Sequence, residues 1–249
     1  VTLEEYENHK NYIYEKKDIC NREDVANIFH KYQPELVFHL AAESHVDNSI
    51  KSPIDFINTN ILGTYNMLNS SLDILKVKGY QNFLFHHIST DEVYGDLTSE
   101  EPAFTERSHY DPSSPYSATK AASDHLVRSW GRTYKLPFFI TNCSNNYGPF
   151  QNKEKLIPKT IFRALNHEKI PIYGNGNQIR DWLHVEDHVK ALCKILNKGI
   201  LGSNYCIGGN NEFKNIDLVK LILKKLSDIP SSYFSLNDNT QHKTFDEYY

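Results

Sequence analysis

The chain has 249 residues, 39% of them apolar and 23% charged, which is enough to bury a substantial globular core. A net charge of −4 argues against a nucleic-acid binder, and no apolar run approaches the roughly 18–20 residues that a membrane span needs. The four cysteines, Cys20, Cys143, Cys193 and Cys206, make no Cys-x-x-Cys pair and read as small hydrophobes in a reducing compartment. With no secretion signal in view, the expected location is the cytoplasm.

Residues 12–18 form the first run of strand length and composition. Asn21 then offers a helix cap, and Val25, Ile28, Phe29 and Tyr32 follow at i, i+3, i+4 and i+7. A strand is predicted over 35–42. After Pro53, the spacing of Ile57, Ile61, Tyr65, Leu68, Leu72 and Leu75 predicts one long helix. A strand over 83–90 precedes a helix that opens at Ser114-Pro115, with serine as cap and proline at the first helical position. Another strand is expected over 138–145. Apolar strands alternating with helices imply an α/β fold, a Rossmann-like doubly wound parallel sheet covered on both faces. Beyond about residue 148 the spacing loosens, with short strands at 171–174 and 204–209 and helices near 154–167, 185–197 and 216–226. The expected organisation is a Rossmann-like domain over 1–147 and a smaller substrate lobe over 148–249, with the chain free to cross between them.

The first glycine is Gly63. A dinucleotide fold ordinarily opens with a strand and a glycine-rich turn that set the pyrophosphate on a helix N-terminus. The first β-α-β segment of such a fold is therefore expected to be missing from this sequence.

Tyr116-x-x-x-Lys120 sits just inside the predicted third helix, where spacing i, i+4 puts phenol and ammonium on one face. Lowering a tyrosine pKa by ~3 units takes roughly 4 kcal/mol of differential stabilisation, which a lysine together with a cationic nicotinamide ring can supply. On its own the pattern is common and more often marks a surface Tyr and Lys. Ser89-Thr90-Asp91-Glu92 ends an apolar strand, where ligands of open α/β sheets gather. Neighbouring carboxylates can serve one site only where the strand stops alternating, and they tend to separate into one acid and one base. The Thr90 hydroxyl can bond a substrate hydroxyl and share its proton with Tyr116. A polar loop after a strand is the plainer alternative.

Leu40-Ala41-Ala42, the run Ser89-Thr90-Asp91-Glu92-Val93-Tyr94-Gly95, and Tyr116-x-x-x-Lys120 together resemble the extended short-chain dehydrogenase/reductases. The likeness continues through Asn142-Cys143-Ser144-Asn145-Asn146-Tyr147-Gly148-Pro149, Pro171-Ile172-Tyr173-Gly174 and Gln178-Ile179-Arg180-Asp181-Trp182-Leu183. Thr-Asp-Glu, with Ala41-Ala42-Glu43-Ser44-His45-Val46-Asp47, is similar to the dTDP-glucose 4,6-dehydratases among them. The family's opening glycine-rich segment is not matched, nor are its C-terminal nucleotide-contacting and closing segments.

The resemblance implies an NAD-dependent lyase acting on dTDP-glucose. Tyr116, helped by Lys120 and Thr90, would take the O4 proton as hydride leaves C4 for NAD. Glu92 would remove the acidified C5 proton, and Asp91 would protonate the departing C6 hydroxyl. Hydride return to C6 gives a 4-keto-6-deoxy sugar. The implied cofactor contacts are Asp18, Ile19, Leu40, Ala41, Ala42, Thr59, Tyr116, Lys120 and Asn146. The implied nucleotide-sugar contacts are Ser44, Thr90, Asn145, Lys155, Leu156, Pro171, Ile172, Tyr173, Arg180 and Asn215, with Arg180 apt as a guanidinium fork for pyrophosphate. A homodimer is implied, joined through the helices near 53–76 and 115–134. The alternatives are another nucleotide-sugar dehydratase, an epimerase, against which the Asp91-Glu92 pair argues, or a catalytically silent nucleotide-sugar binder.

No metal site is expected. His86-His87 lies in a strand that sends the two rings to opposite faces, and His184-x-x-x-His188 lacks the rest of a zinc-hydrolase signature. Gly174-x-Gly176 reads as a turn. Asp246-Glu247-Tyr248-Tyr249 reads as a tail, and Asn69-Ser70-Ser71 and Asn142-Cys143-Ser144 match the glycosylation pattern by spelling alone.

Overall fold

The computed structural model describes residues 3, 6–79, 82–98 and 100–229; the motif at 246–249 lies outside them. In chain order the elements begin α1 (Arg22–Tyr32), β1 (Leu36–His39), α2 (Val46–Lys51) and α3 (Pro53–Phe56). A π-helical stretch (Ile57–Gly63) leads into α4 (Thr64–Lys78), followed by β2 (Leu84–Thr90) and a 3₁₀ turn (Asp91–Tyr94). Then come α5 (Pro115–Tyr134), β3 (Phe138–Cys143), β4 (Asn145–Tyr147), α6 (Leu156–Leu165) and β5 (Ile179–His184). The last are α7 (Val185–Lys198), β6 (Asn204–Ile207), β7 (Glu212–Lys214) and α8 (Asn215–Ser227). The chain divides into two compact units, Val1–Cys143 with Val189–Ile207, and Ser144–His188 with Gly208–Tyr249.

The first unit is built on a parallel sheet of order β1-β2-β3-β6. Helices α4 and α5 pack on the sheet; β1 buries only alternate residues and leaves Leu36 and Phe38 exposed, whereas Leu68 of α4, Phe85, Val127 of α5 and Ile140 are all fully buried in one cluster. Each such side chain contributes roughly 1.5–3 kcal/mol relative to exposure. Asn21 caps α1 as its position suggests, accepting from the backbone N–H groups of Glu23 and Asp24.

Three elements expected of the first unit differ. Residues 12–18 form no strand: Ile13 and Tyr14 are 64% and 66% exposed, so the run has no buried face to pair. Glu15 instead ties it to α1, accepting from Lys31 Nζ at 2.9 Å and from the Tyr32 hydroxyl at 2.6 Å. The single long helix after Pro53 is broken into α3, the π-helical stretch and α4. There the Ser123 hydroxyl donates to the Asn60 carbonyl at 2.6 Å, a side-chain intrusion of the kind that widens a helical ladder. The strand predicted over 138–145 stops at Cys143, and β4 belongs to the second unit.

In the second unit β5 pairs parallel with β4 and antiparallel with β7. Helices α6 and α8 bury Ala164, Val219 and Leu223 against each other. Residues 171–174 form no strand. They enter a turn in which the Gly176 N–H donates to the Tyr173 carbonyl, and Gly176 sits at φ +71, where a side chain is strained. Among the described residues no helix is long and apolar enough to cross a membrane.

Candidate active site

Thr90 is the last residue of β2, and the 3₁₀ turn begins at once with Asp91 and Glu92. The chain turns because the Thr90 hydroxyl accepts the Glu92 N–H at 3.2 Å while donating to Asp91 Oδ1 at 3.3 Å. Alternation stops there, so the two carboxylates are freed from opposite faces of the sheet. Gly95 closes the turn at φ +93, and a β-carbon there would meet the Asp111 carbonyl. Asn142 of β3 braces the strand end by donating to the Thr90 carbonyl at 3.1 Å.

Helix α5 delivers the other pair. Ser114 and Ser117 form a reciprocal capping box, and Pro115 occupies the first helical position. Tyr116 and Lys120 are only 9% and 4% exposed. Lys120 Nζ donates to the Ile88 carbonyl at 2.9 Å, and burial pulls its pKa below the ordinary value. Phe56 meets Tyr116 edge-on, with ring centroids 6.3 Å apart. Burial, then the nearby Glu92 and Cys143, push the Tyr116 phenol far above its usual range, against a weaker opposing bond with Thr90. In the chain alone Tyr116 is a weaker acid than a free tyrosine, because desolvation outweighs its neighbours.

Near the start of the chain a cleft of ≈ 460 Å³ is lined by Lys16, Lys17, Asp18, Ile19, Ala41 and Thr59. It gathers Asp18, Ile19, Ala41 and Thr59 from the expected cofactor set; Leu40 is 59% exposed at the end of β1, with Ala42 beyond it. Lys16 and Lys17 were not foreseen, since an exposed lysine pair has no distinguishing pattern. Ser44 is exposed on the loop before α2.

The remaining expected positions lie in the second unit. Asn145 opens β4, and the Asn146 side chain donates to the Ser144 carbonyl at 3.0 Å and shares a 2.8 Å contact with His188 Nδ1. Lys155 stands at the N-cap position of α6, without a side-chain capping bond, and Leu156 begins the helix. Pro171 and Tyr173 are exposed on the loop before β5, Ile172 is half-buried, and Asn215 begins α8 with its N–H donated to the Gln178 carbonyl at 3.0 Å. Arg180 is exposed on β5. Its neighbour Asp181, another residue not foreseen, accepts from the N–H groups of Gly209 at 2.6 Å and Asn211 at 2.7 Å, fixing the turn before β7.

His86 packs against Phe38 and Phe139, whereas His87 faces His39 and Asp124, so the adjacent rings do part company. His184 closes β5 edge-on to Tyr147 while His188 lies on α7, which removes the single-helix spacing the two appeared to share.

The sequence matches the GDP-mannose 4,6 dehydratase family model over residues 2–249. It is 56% identical to the dTDP-glucose 4,6-dehydratase of Haemophilus influenzae, over 92% of this chain and 69% of that protein. The chain spans about two thirds of the length of the relatives it matches. Among solved structures, the dTDP-glucose 4,6-dehydratase of Bacillus anthracis in complex with NAD is similar at TM-score 0.76 and 40% identity, over 90% of this chain and 66% of that one. The UDP-glucuronic acid 4-epimerase of Bacillus cereus, in complex with UDP-glucuronic acid and NAD, is similar at TM-score 0.81 and 26% identity, over 92% of this chain and 69% of that one.

Proposed function

The chain belongs to the GDP-mannose 4,6 dehydratase family and, within it, to the dTDP-glucose 4,6-dehydratases, and we propose that it catalyses the NAD-dependent dehydration of dTDP-glucose to a 4-keto-6-deoxy sugar. The observation that carries the reading is the pairing of Thr90, Asp91 and Glu92 at a strand end with a buried Tyr116 and Lys120. An epimerase needs the tyrosine and lysine but has no use for an acid and a base beside them.

The cleft at Asp18, Ile19, Ala41 and Thr59 fits the cofactor: Asp18 is an acceptor for hydroxyl or amine protons, Ile19 an apolar wall, and Lys16 and Lys17 counter-charges for phosphate. NAD, when bound, supplies the hydride acceptor for C4 and returns the hydride to C6. In this reading Tyr116 takes the O4 proton, with Lys120 stabilising the phenolate and Thr90 holding the hydroxyl. Glu92 takes the C5 proton, and Asp91 gives a proton to the leaving C6 hydroxyl. Arg180, on its exposed strand, would bind diphosphate oxygens in bidentate fashion. We further assign the protein to the cytoplasm, in keeping with four cysteines that read as small hydrophobes rather than as disulfide partners. We assign it to a homodimer through α3 to α5, in keeping with exposed Ile54, Leu62 and Tyr65.

The test is product analysis with dTDP-glucose. Glu92→Gln should still oxidise C4 but fail to exchange the C5 proton with solvent deuterium, with turnover reduced ~10²–10⁴-fold. Tyr116→Phe should abolish oxidation itself. Exchange at the parent rate in Glu92→Gln would overturn the assignment.

A further inference from the structure

Helix α5 turns an unusual face to the sheet. Where a core helix normally buries a stripe of apolar residues, Tyr116, Thr119, Lys120, Ser123 and Asp124 are all buried at i, i+3, i+4, i+7 and i+8. The proposed mechanism uses only the first turn of this stripe. Asp124, at 0% exposure, is the buried carboxylate it leaves unassigned.

An isolated carboxylate at such a place would cost several kcal/mol and would protonate instead. Here two donors converge on it, with an imidazole close by. The Tyr110 hydroxyl donates to Oδ2 at 2.8 Å and Asn142 Nδ2 donates to the same oxygen at 3.1 Å, while His87 Nε2 stands 3.2 Å from Oδ1. Tyr110 in turn accepts from Arg128 Nη2 at 3.0 Å. Burial alone would raise the Asp124 carboxyl, but His87 and Lys120 outweigh it and hold the group below the ordinary carboxylate range. His87 remains neutral under the same burial, since its pKa is lowered despite Asp124. Two full positive charges therefore flank Asp124 on α5: Arg128, one turn later and joined to it through Tyr110, and Lys120, one turn earlier and buried on the same face.

Resting on the functional reading above, we propose that Asp124 is a positioning residue for the reaction: it is the buried counter-charge that keeps Lys120 an ammonium, oriented on the Ile88 carbonyl and ready for the Tyr116 phenolate. The titratable groups around the pair are His87 and His39 from the sheet, Cys143 from β3, Tyr110 from the preceding loop, and Tyr116 itself. Neither imidazole is charged, and burial lowers both. Asn142 bonds both Asp124 and the Thr90 carbonyl, so the same network registers α5 against the strand end that carries the acid and the base.

Two measurements test this. Heteronuclear NMR of isotope-labelled lysine, without substrate or cofactor and with the Lys120 signal identified by its loss in Lys120→Met, reports that ammonium directly. The parent should hold Lys120 charged at about pH 7.5, and Asp124→Asn should titrate it at least about one pH unit lower. A neutral Lys120 in the parent overturns the proposal whether or not the variant folds, and so do equal midpoints in parent and variant. In the NAD-loaded protein, the alkaline limb of kcat should move to lower pH in Asp124→Asn, with a loss of about tenfold per unit moved and an unchanged KM for dTDP-glucose. Asp124→Glu should restore the limb, whereas a merely structural role would reduce kcat at every pH and leave the limb in place. A parent that makes no 4-keto product would sink the functional reading and leave the NMR result standing on its own.

Discussion

The interior of the first unit holds imidazoles that acid should turn against the fold. His39 and His87 are 2% and 0% exposed, with ring centroids 5.3 Å apart, and burial lowers the pKa of both, that of His39 by a wide margin. A base whose folded pKa is depressed binds its proton more readily in the unfolded chain, so stability is full above the unfolded value and is lost as pH falls below it. Taking about 6.5 for the unfolded histidine, a ring that stays neutral in the fold costs about 2 kcal/mol of stability at about pH 5. That is a large share of a typical 5–15 kcal/mol. His87 sits 3.2 Å from Asp124 and recovers part of its cost once protonated, so His39 is the cleaner probe. Its Nε2 lies 2.9 Å from the Thr64 hydroxyl, a contact that His39→Gln can keep without a titrating group. Of the two tryptophans, Trp130 packs against the core of the first unit, so a Trp182→Phe background makes fluorescence report that unit alone. In urea titrations between about pH 7.5 and 5, the parent should lose about 2 kcal/mol more than His39→Gln. Equal losses would refute the reasoning, and a parent with no acid loss would refute it outright.

Gly63 in the π-helical stretch is a second sensitive point, because a β-carbon there would lie 2.5 Å from Ile19 Cδ1 and 2.7 Å from Cγ1. Gly63→Ala should push Ile19 into the cleft it lines and weaken NAD binding ~10-fold or more by fluorescence titration, with binding at the parent affinity counting against the cofactor assignment. Ser114→Ala removes the cap two residues before Tyr116 and should cost about 1 kcal/mol in urea titration, while Ser114→Gly should cost only a few tenths.

What the sequence revealed and what it hid divide along physical lines. Elements with a strong period and a terminal signal were readable: Asn21 before α1, Ser114-Pro115 before α5, and the apolar runs that became β1, β2 and β3. Composition misled at 12–18 and 171–174, where aromatic and β-branched residues have strand propensity but no partner edge among the described residues. The break at Ile57–Gly63 was invisible because its cause, the Ser123 hydroxyl on the Asn60 carbonyl, comes from a residue far along the chain. The site motifs stood out because their spacing is local. Asp124 did not, although the polar residues at helical spacing from Tyr116 were on view, since a polar stripe on a helix ordinarily faces water.

The same burial that defines this site also sets its charge arithmetic. Desolvation raises Tyr116 and lowers Lys120, so each group taken alone resists the form that catalysis needs. A phenolate beside an ammonium is nevertheless a neutral pair, and a low-dielectric interior penalises a neutral pair far less than either ion. Asp124 already claims the Lys120 charge, so ammonium and carboxylate sum to zero before Tyr116 ionises. Deprotonating Tyr116 then adds a further negative charge beside Glu92, Cys143 and Asp91, and burial together with these neighbours raises the phenol pKa. On the proposed reading the oxidised cofactor's ring cation offsets that charge. In that reading the phenolate would be favoured while the oxidised cofactor is bound and disfavoured once its positive charge is gone. A tyrosine silent in the chain alone and active in the loaded site is what this arrangement of charges requires.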